Sequence, residues 1–457
     1  MGGCGTYVFW LYDQRRHITI RGSDEAMPDQ EFASAVLEGC VDDLLPEHVL
    51  AEISDDGQWL SYSSKDKDDP GFLLHYPRFD DQPDDVKVDI VKRSELREEK
   101  RMYWIADIVS YINENDPAHL AVFKIAVHDS QLARMWNDAH AMRALRGHPS
   151  IVPFEKFVVD DTDYRLLGYT TKFIPGGTLE ENHSFTHFRL SWLDQMMELV
   201  DDINLKYGIM HRDIAARNFL IDPQTQRLLL FDFNNCMQIG NATSHPRIGS
   251  WGPPDVDGVI FTIYELLTFD KSFRTGKAFW QNEVGPIEQM VEWPLKATLE
   301  PGLDVSTIRQ HLDNWVKERR TTRSIKHFSE ATDPIALPEQ PPQEILEYTY
   351  FDEEDQKTSR VFTHGQARMA GVHYVDWSRP AFEKVPIEYY VPTLTLKEEK
   401  GASSPHQIEP AESLQVPTDH SLPNLALKED KGASSPSRME PAESSLGQDQ
   451  EGEKVAG

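Results

Sequence analysis

Between Trp192 and Asp232 the chain admits essentially one local architecture. Trp192-Leu-Asp-Gln-Met-Met-Glu-Leu-Val-Asp-Asp-Ile203 repeats apolar residues at helical spacing. Phe219-Leu-Ile221 and Leu228-Leu-Leu-Phe231 are short apolar runs on either side of the turn Asp222-Pro-Gln-Thr-Gln226, which is the make-up of a hairpin. Between helix and hairpin lies Tyr207-Gly-Ile-Met-His211-Arg212-Asp213-Ile-Ala-Ala-Arg217-Asn218. A polar loop held by rigid elements on both sides is where chains place reactive groups.

The arrangement resembles the eukaryotic-type protein kinase superfamily, of which the chain looks like a divergent, fungal-like member. The family's catalytic loop reads H-R-D-x-x-x-x-N before a D-F-G element. The resemblance implies ATP and Mg²⁺ as cofactors, with Asp213 as catalytic base and Asn218 and Asp232 as metal ligands. Ala215-Ala-Arg217-Asn resembles the tyrosine-kinase wording, which puts Arg217 near the γ-phosphate. Leu120-Ala-Val-Phe-Lys124-Ile resembles the third strand, so Lys124 is expected on the α- and β-phosphates. Its usual Glu partner is replaced by Asp138, one methylene shorter, on the helix that ends at Leu145-Arg-Gly-His-Pro. Tyr169-Thr-Thr-Lys-Phe-Ile-Pro-Gly-Gly-Thr-Leu179 looks like the fifth strand, hinge and following turn. Thr171 then stands as gatekeeper, with Lys172, Phe173 and Ile174 against adenine. Asp255 and Glu265 fall as in the buried helix that braces the catalytic loop.

The pattern breaks in three places. No glycine occurs between Gly71 and Gly147, so the Gly-rich phosphate loop is missing; Lys92–Arg101, which stands there, is charged and helical in propensity. D-F-G is Asp232-Phe233-Asn234, where Asn is expected to take the left-handed backbone that Gly would. Only 23 positions separate Asp232 from Asp255, and Gly249-Ser-Trp-Gly-Pro-Pro254 replaces A-P-E, so the peptide platform is clipped. The leading expectation is an ATP-dependent protein kinase-like phosphotransferase acting on a hydroxyl acceptor. Two alternatives stand beside it: a pseudokinase that binds nucleotide or serves as a scaffold, and a small-molecule phosphotransferase resembling aminoglycoside and choline kinases.

The expected fold class is α+β, a two-lobed protein-kinase-like fold with flanking segments. Residues 1–85 form an extension of unknown role, with a hairpin at 6–21 and helical patterning over 29–54. Residues 86–175 form the N-lobe, and 176–325 an abbreviated C-lobe ending in the capped helix after Asp304. Residues 326–395 are a linker and a partly ordered extension. Residues 396–457 repeat Leu-Lys-Glu-(Glu/Asp)-Lys-Gly-Ala-Ser-Ser-Pro at a spacing of 31 and have no apolar face to stack, which predicts disorder.

With 76 acidic against 46 basic residues the net charge is −30, which argues against nucleic acid as a partner and leaves a protein substrate or partner as the expectation. Three scattered cysteines form neither a disulfide framework nor a zinc spacing, and no apolar run is long enough to cross a membrane, so the expected location is the cytoplasm. The start Met-Gly2-Gly-Cys4-Gly-Thr also fits the loose acylation pattern at Gly2 and Cys4, against which the strand pattern of Thr6–Tyr12 weighs.

Overall fold

The computed structural model describes residues 4–381, apart from 24–26, 28, 55–58, 80–88, 113–118, 183–186, 242–253, 275–282, 343 and 352–356. Gly2, the Gly249–Gly252 stretch and the repeat tail 396–457 lie outside the described residues. The chain from 1 to 395 is one compact unit of mixed α and β structure. No helix among the described residues is long and apolar enough to cross a membrane.

The extension carries its own sheet and its own small core. β1 (Cys4–Leu11) and β2 (Arg16–Ser23) pair antiparallel around the 12–15 turn, as the alternating apolar residues on either side of Asp13-Gln-Arg-Arg predict. Helix α1 (Gln30–Cys40) starts at Asp29, whose carboxylate caps Phe32 N–H at 2.8 Å. The helical expectation for 29–54 fails at its end: β3 (Leu50–Ile53) runs parallel to β2, followed by β4 (Trp59–Ser63). Ile18, Ile20, Leu37 and Ile53 close this core, and parallel pairing with β2 decides the conformation of 50–53.

A six-stranded sheet follows, made of β5 (Ile90–Lys92), β6 (Leu96–Tyr103), β7 (Ala106–Tyr111), β8 (Ala121–Ile125), β9 (Phe154–Val159) and β10 (Leu166–Lys172), in spatial order β5-β9-β10-β8-β7-β6. The helix expected over 92–101 is not there; that stretch is a strand end, a short 3₁₀ turn and the edge strand β6. Most of β6 is exposed, so it lacks the alternation that marks a half-buried strand, and its charges protect an open edge. Helix α2 (Asp129–Ala144) joins β8 to β9 and buries Leu132, Met135, Trp136, Ala139 and Met142.

Beyond β10 come a short α3 (Leu179–Asn182) and α4 (Leu190–Asp201), which runs on through a π-helical turn, Asp202–Lys206. Then follow β11 (Ile209–Met210), the hairpin β12 (Phe219–Ile221) and β13 (Leu228–Leu230), and β14 (Met237–Gln238), which pairs with β11. Helices α5 (Asp255–Thr268), α6 (Gly285–Gln289) and α7 (Val305–Thr321) complete this part, and Asp304 caps α7 by accepting from Thr307 N–H at 2.8 Å. One continuous apolar core runs from the six-stranded sheet into these helices.

After α7 the chain turns back. Thr332 N–H and Ile335 N–H donate to Leu205 and Tyr207 carbonyls, and the Trp136 indole donates to Pro338 at 2.9 Å. The hairpin β15 (Glu347–Phe351) and β16 (Lys357–Val361) leads to α8 (His364–Ala370) and then to Trp377, buried at the back of the six-stranded sheet. Trp377 donates to Tyr76 Oη at 2.7 Å, and Arg93 lies 4.3 Å above its ring. Trp377→Ala is expected to cost about 3–5 kcal/mol, read as a lower urea midpoint at unchanged slope. A change within about 0.5 kcal/mol, the range for a surface site, would show that 363–381 is not part of the folded unit.

Buried histidines add an acid sensitivity. Burial, reinforced by His364 and His128, pushes His17 down to about 3, and burial with Arg143 does the same to His140. The unfolded chain binds these two protons near pH 6.5 and the native chain only near 3. Stability is therefore full above pH 6.5 and falls as pH drops through that window, by up to about 1.4 kcal/mol per pH unit for each group. Urea midpoints at pH 7 and pH 5.5 measure this; equal midpoints would contradict it.

Candidate functional site

The three regions singled out in the sequence meet at one place, each brought there by a local rule. On β8 the residues alternate, so Ala121, Phe123 and Ile125 are buried on one face while Val122 and Lys124 point to the other. The register pairs Lys124 with Tyr169 and Val122 with Thr171, which sets Thr171 two residues along the same face of β10. Lys124 Nζ reaches Asp138 Oδ2 on α2 at 2.5 Å and also pairs with Asp232 Oδ1. Asp is shorter than Glu, yet the pair closes, on a helix whose Trp136 and Met142 are fully buried. Asp138 is fully buried; its second oxygen accepts Phe233 N–H at 2.7 Å, and the Tyr169 phenol bonds to its carboxyl group.

Two carboxylates here share one ammonium. Burial opposes the charge on Lys124, but Asp138 and Asp232 together more than offset it and hold its pKa above the ordinary lysine value. Burial pushes the Asp138 carboxyl up, with Asp232 adding to the rise and Lys124 opposing it. Tyr169 is pushed well up by burial and then by Asp138, so it stays a hydrogen-bond donor. Arg134 also lies within electrostatic reach of Asp232, so two cations face the two carboxylates.

Asp213 sits at the turn between β11 and β12. Its carboxylate pairs with Arg217 and accepts Asn218 Nδ2 at 2.9 Å, while that same amide reaches the Asp213 carbonyl at 2.8 Å. Asn218 Oδ1 is left as its coordinating atom. The hairpin pairs Phe219 with Leu230, which puts Asn218 across from Phe231, bonded by Phe231 N–H at 3.1 Å and one residue from Asp232. Asn218 and Asp232 thus stand side by side at the open end of one hairpin. Among the described residues no group of three or more His, Cys, Asp or Glu is placed to hold a metal. An Asn–Asp pair suits a cation that takes its other oxygens from phosphates and water.

The loop itself is fixed from below. Asp255, in the first turn of α5 and almost fully buried, accepts His211 N–H at 2.8 Å, Arg212 N–H at 2.6 Å and Asn204 Nδ2 at 2.8 Å. The His211 ring accepts Asp213 N–H at Nδ1 and lies 3.0 Å from the Phe231 carbonyl at Nε2, which together select the Nε2–H tautomer. Phe233 stands edge-on to this ring at 4.6 Å. Arg212 and Asp232 both adopt left-handed backbone, φ 66° and 68°. Such residues cluster where a site imposes its geometry. The left-handed residue was expected at Asn234; it is Asp232 instead, and Asn234 lies in the short 3₁₀ turn Phe233–Asn235. This backbone occurs at Asp232 together with its pair to Lys124, and Asp is among the residues that tolerate it.

At the strand exit, Lys172 N–H donates to Pro153 and Phe173 N–H to Leu120, while Ile174 N–H has no acceptor among the described residues. Gly176 and Gly177 are required there. A Cβ on Gly176 would lie 1.8 Å from the Ile221 carbonyl oxygen, and Gly177 has φ 69°. In place of a Gly-rich loop stands the β6–β7 hairpin, whose Glu98 is held by Arg101 and Arg379, both at 2.7 Å. Asp107 on β7 takes Arg15 at 2.7 Å and Arg379 at 2.9 Å, so the extension and the returning segment fix this hairpin from behind.

Sequence reading missed Tyr169, Asn204, Thr262 and Arg274. Tyr169 was open to detection, since it lies two residues before Thr171 on one strand and shares its face. Thr262 shares the helical face of Asp255, seven residues on, whereas Asn204 and Arg274 act through single side chains in no recognisable spacing. A surface cleft of about 720 Å³ bounded by Val291, Trp293, Arg309 and Asp313 contains none of the residues above. No protein-family model matches the chain, and no curated protein matches it.

Proposed function

We propose that the chain is a protein-kinase-like phosphotransferase with a two-lobed kinase fold, using Mg·ATP and passing the γ-phosphoryl group to a hydroxyl. The observation that carries this reading is the sharing of Lys124 between Asp138 and Asp232, residues 14 and 108 positions away, next to the bonded pair Asp213 and Asn218. Strand order and helix placement support it too. Lys124 lies on the third strand of the antiparallel run β6-β7-β8, and α2 follows at once.

The residues fit the nucleotide. Ile174 N–H and the neighbouring backbone suit an adenine edge, and Lys124 suits the α- and β-phosphates. Asn218 Oδ1 and Asp232 would hold Mg²⁺, which supplies charge neutralisation on the phosphate oxygens. Asp213 is placed to accept the proton of the acceptor hydroxyl, and Arg217 to release its carboxylate as it turns toward the developing charge.

Mg·ATP added at one hundred times its Kd is expected to raise apparent stability by about 2.7 kcal/mol. The rise should require Mg²⁺ and be absent in Asp232→Asn. A flat melting temperature at millimolar Mg·ATP would sink the reading. A second reading, a nucleotide-binding scaffold without transfer, is favoured by the glycine-free β6–β7 hairpin tied down by Arg15, Arg101 and Arg379. That reading predicts the shift in melting temperature without label transfer from γ-labelled ATP.

A further inference from the structure

Asp255, Gly258, Thr262 and Glu265 lie along one stripe of α5, at i, i+3, i+7 and i+10. The first of them holds the peptide groups before Asp213, as described above. The next two meet the peptide group after it. Gly258 lets the loop come close, since a Cβ there would lie 2.8 Å from Ile214 Cβ. The Ile214 carbonyl is 3.0 Å from Thr262 Oγ1 and accepts Arg274 Nη2 at 2.9 Å. That same Nη2 reaches the Gly258 carbonyl at 3.1 Å and Thr262 Oγ1 at 3.0 Å, and Arg274 Nε pairs with Glu265 at 2.8 Å. Its guanidinium also lies 5.0 Å over the Phe261 ring.

Nε serves Glu265 while the two Nη2 hydrogens are shared among Ile214, Gly258 and Thr262, a division between two points that a guanidinium allows and a single ammonium nitrogen does not. Burying such a charge pair is not in itself a good source of stability, because both ions lose their water. The Arg274 and Glu265 side chains are only 8% and 9% exposed, so this desolvation is nearly complete. The arrangement acts on the loop instead. Asp213 is gripped on its N-terminal side through Asp255 and on its C-terminal side through Thr262 and Arg274. Its carboxylate direction is then completed by Arg217 and Asn218.

We propose that Arg274 is a positioning residue for Asp213, acting through the Ile214 carbonyl. The claim rests on the phosphotransfer reading for its effect on rate, but not for its effect on the loop. It touches neither nucleotide nor acceptor, so the rate of transfer should depend on it while nucleotide affinity does not.

The test uses the full chain with Arg274→Lys, which keeps a charge for Glu265 but loses the fork, and the double variant Arg274→Met/Glu265→Gln, which leaves no buried charge unpaired. Hydrogen exchange of the 209–217 amides should quicken about tenfold or more in both variants, with α2 and β8 unchanged. In single-turnover transfer from γ-labelled ATP, kcat should fall about 100-fold with KM for ATP within about twofold, as a misplaced catalytic group predicts. Unchanged exchange at 209–217 in both variants would overturn the proposal. So would kcat and KM worsening together in step with global stability. If wild type and Asp213→Asn transfer label equally, the phosphotransfer reading fails, and the exchange data alone decide the role of Arg274.

Discussion

Asp213→Asn is expected to lower phosphoryl transfer by about 10²–10⁴-fold while leaving the Mg·ATP-induced rise in melting temperature at its wild-type value. The two effects separate because Lys124, Asp138 and Asp232 bond to one another and not to the Asp213 carboxylate, although Asn218 touches it. The two peptide groups before Asp213 are held by Asp255, its own N–H by His211 Nδ1 and its side chain by Arg217 and Asn218, whereas Lys124 and Asp232 form a distinct cluster. An amide has nearly the shape of a carboxylate but cannot take up a proton at neutral pH. It also presents an N–H₂ group to donors that now face an oxygen acceptor. The loop should keep its place, since three buried bonds to Asp255 do not involve the altered group. Label transfer under single-turnover conditions beside a melting curve with Mg·ATP reads both quantities. Equal transfer by wild type and variant would remove the catalytic role from Asp213.

The second large effect lies on stability. Lys124→Met should destabilise the chain by about 3 kcal/mol at neutral pH, the low end for breaking a buried pair, since Lys124 and Asp232 keep some exposure. Asp138 is fully buried and would face Asp232 with no cation between them. The loss should depend on pH in a defined direction. Burial already raises the Asp138 carboxyl above its unfolded value of 3.8, and removing Lys124 removes the main opposing influence. A carboxyl with a raised folded pKa favours the native state at low pH and loses that contribution as pH rises through the folded pKa. The deficit of Lys124→Met against wild type should therefore be largest near pH 8 and shrink toward pH 5. Asp232→Asn offers the contrast. It leaves Lys124 and Asp138 as a balanced pair, so the variant should stay near wild-type stability yet lose its response to Mg·ATP. A pH-independent deficit in Lys124→Met would refute the shared-ammonium account.

Much of the site could be read in the chain because its parts obey local rules. Trp192–Ile203 forms its helix, Phe219–Leu230 its hairpin, and Asp304 its cap, each from periodicity or a side chain acting on its own neighbours. What could not be read depends on partners far away in sequence. Lys92–Arg101 looked helical because its charges have no alternation of their own. They are satisfied across space by Asp13 and Arg379, and the pairing of β6 with β7 makes the segment a strand. The segment after Pro338 gave no sign that Trp377 and Arg379 return to Tyr76 and Asp107. The left-handed backbone fell on Asp232 rather than Asn234; residue preference allows it at both, so it could not choose between them.

By itself, the sequence determined which side chains stand on helix, loop and hairpin between Trp192 and Asp232. It also determined that Lys124 stands in an apolar strand and that Asp304 suits the start of α7. Only the tertiary structure decided that Asp138 is long enough to reach Lys124, that the β6–β7 hairpin is fixed from behind by two distant arginines, and that Ile214 is held by Arg274. The physical reason is range. Backbone preferences and capping act within a turn or two, whereas a buried ion pair is set by how closely packed elements bring two charges together and how much water they exclude.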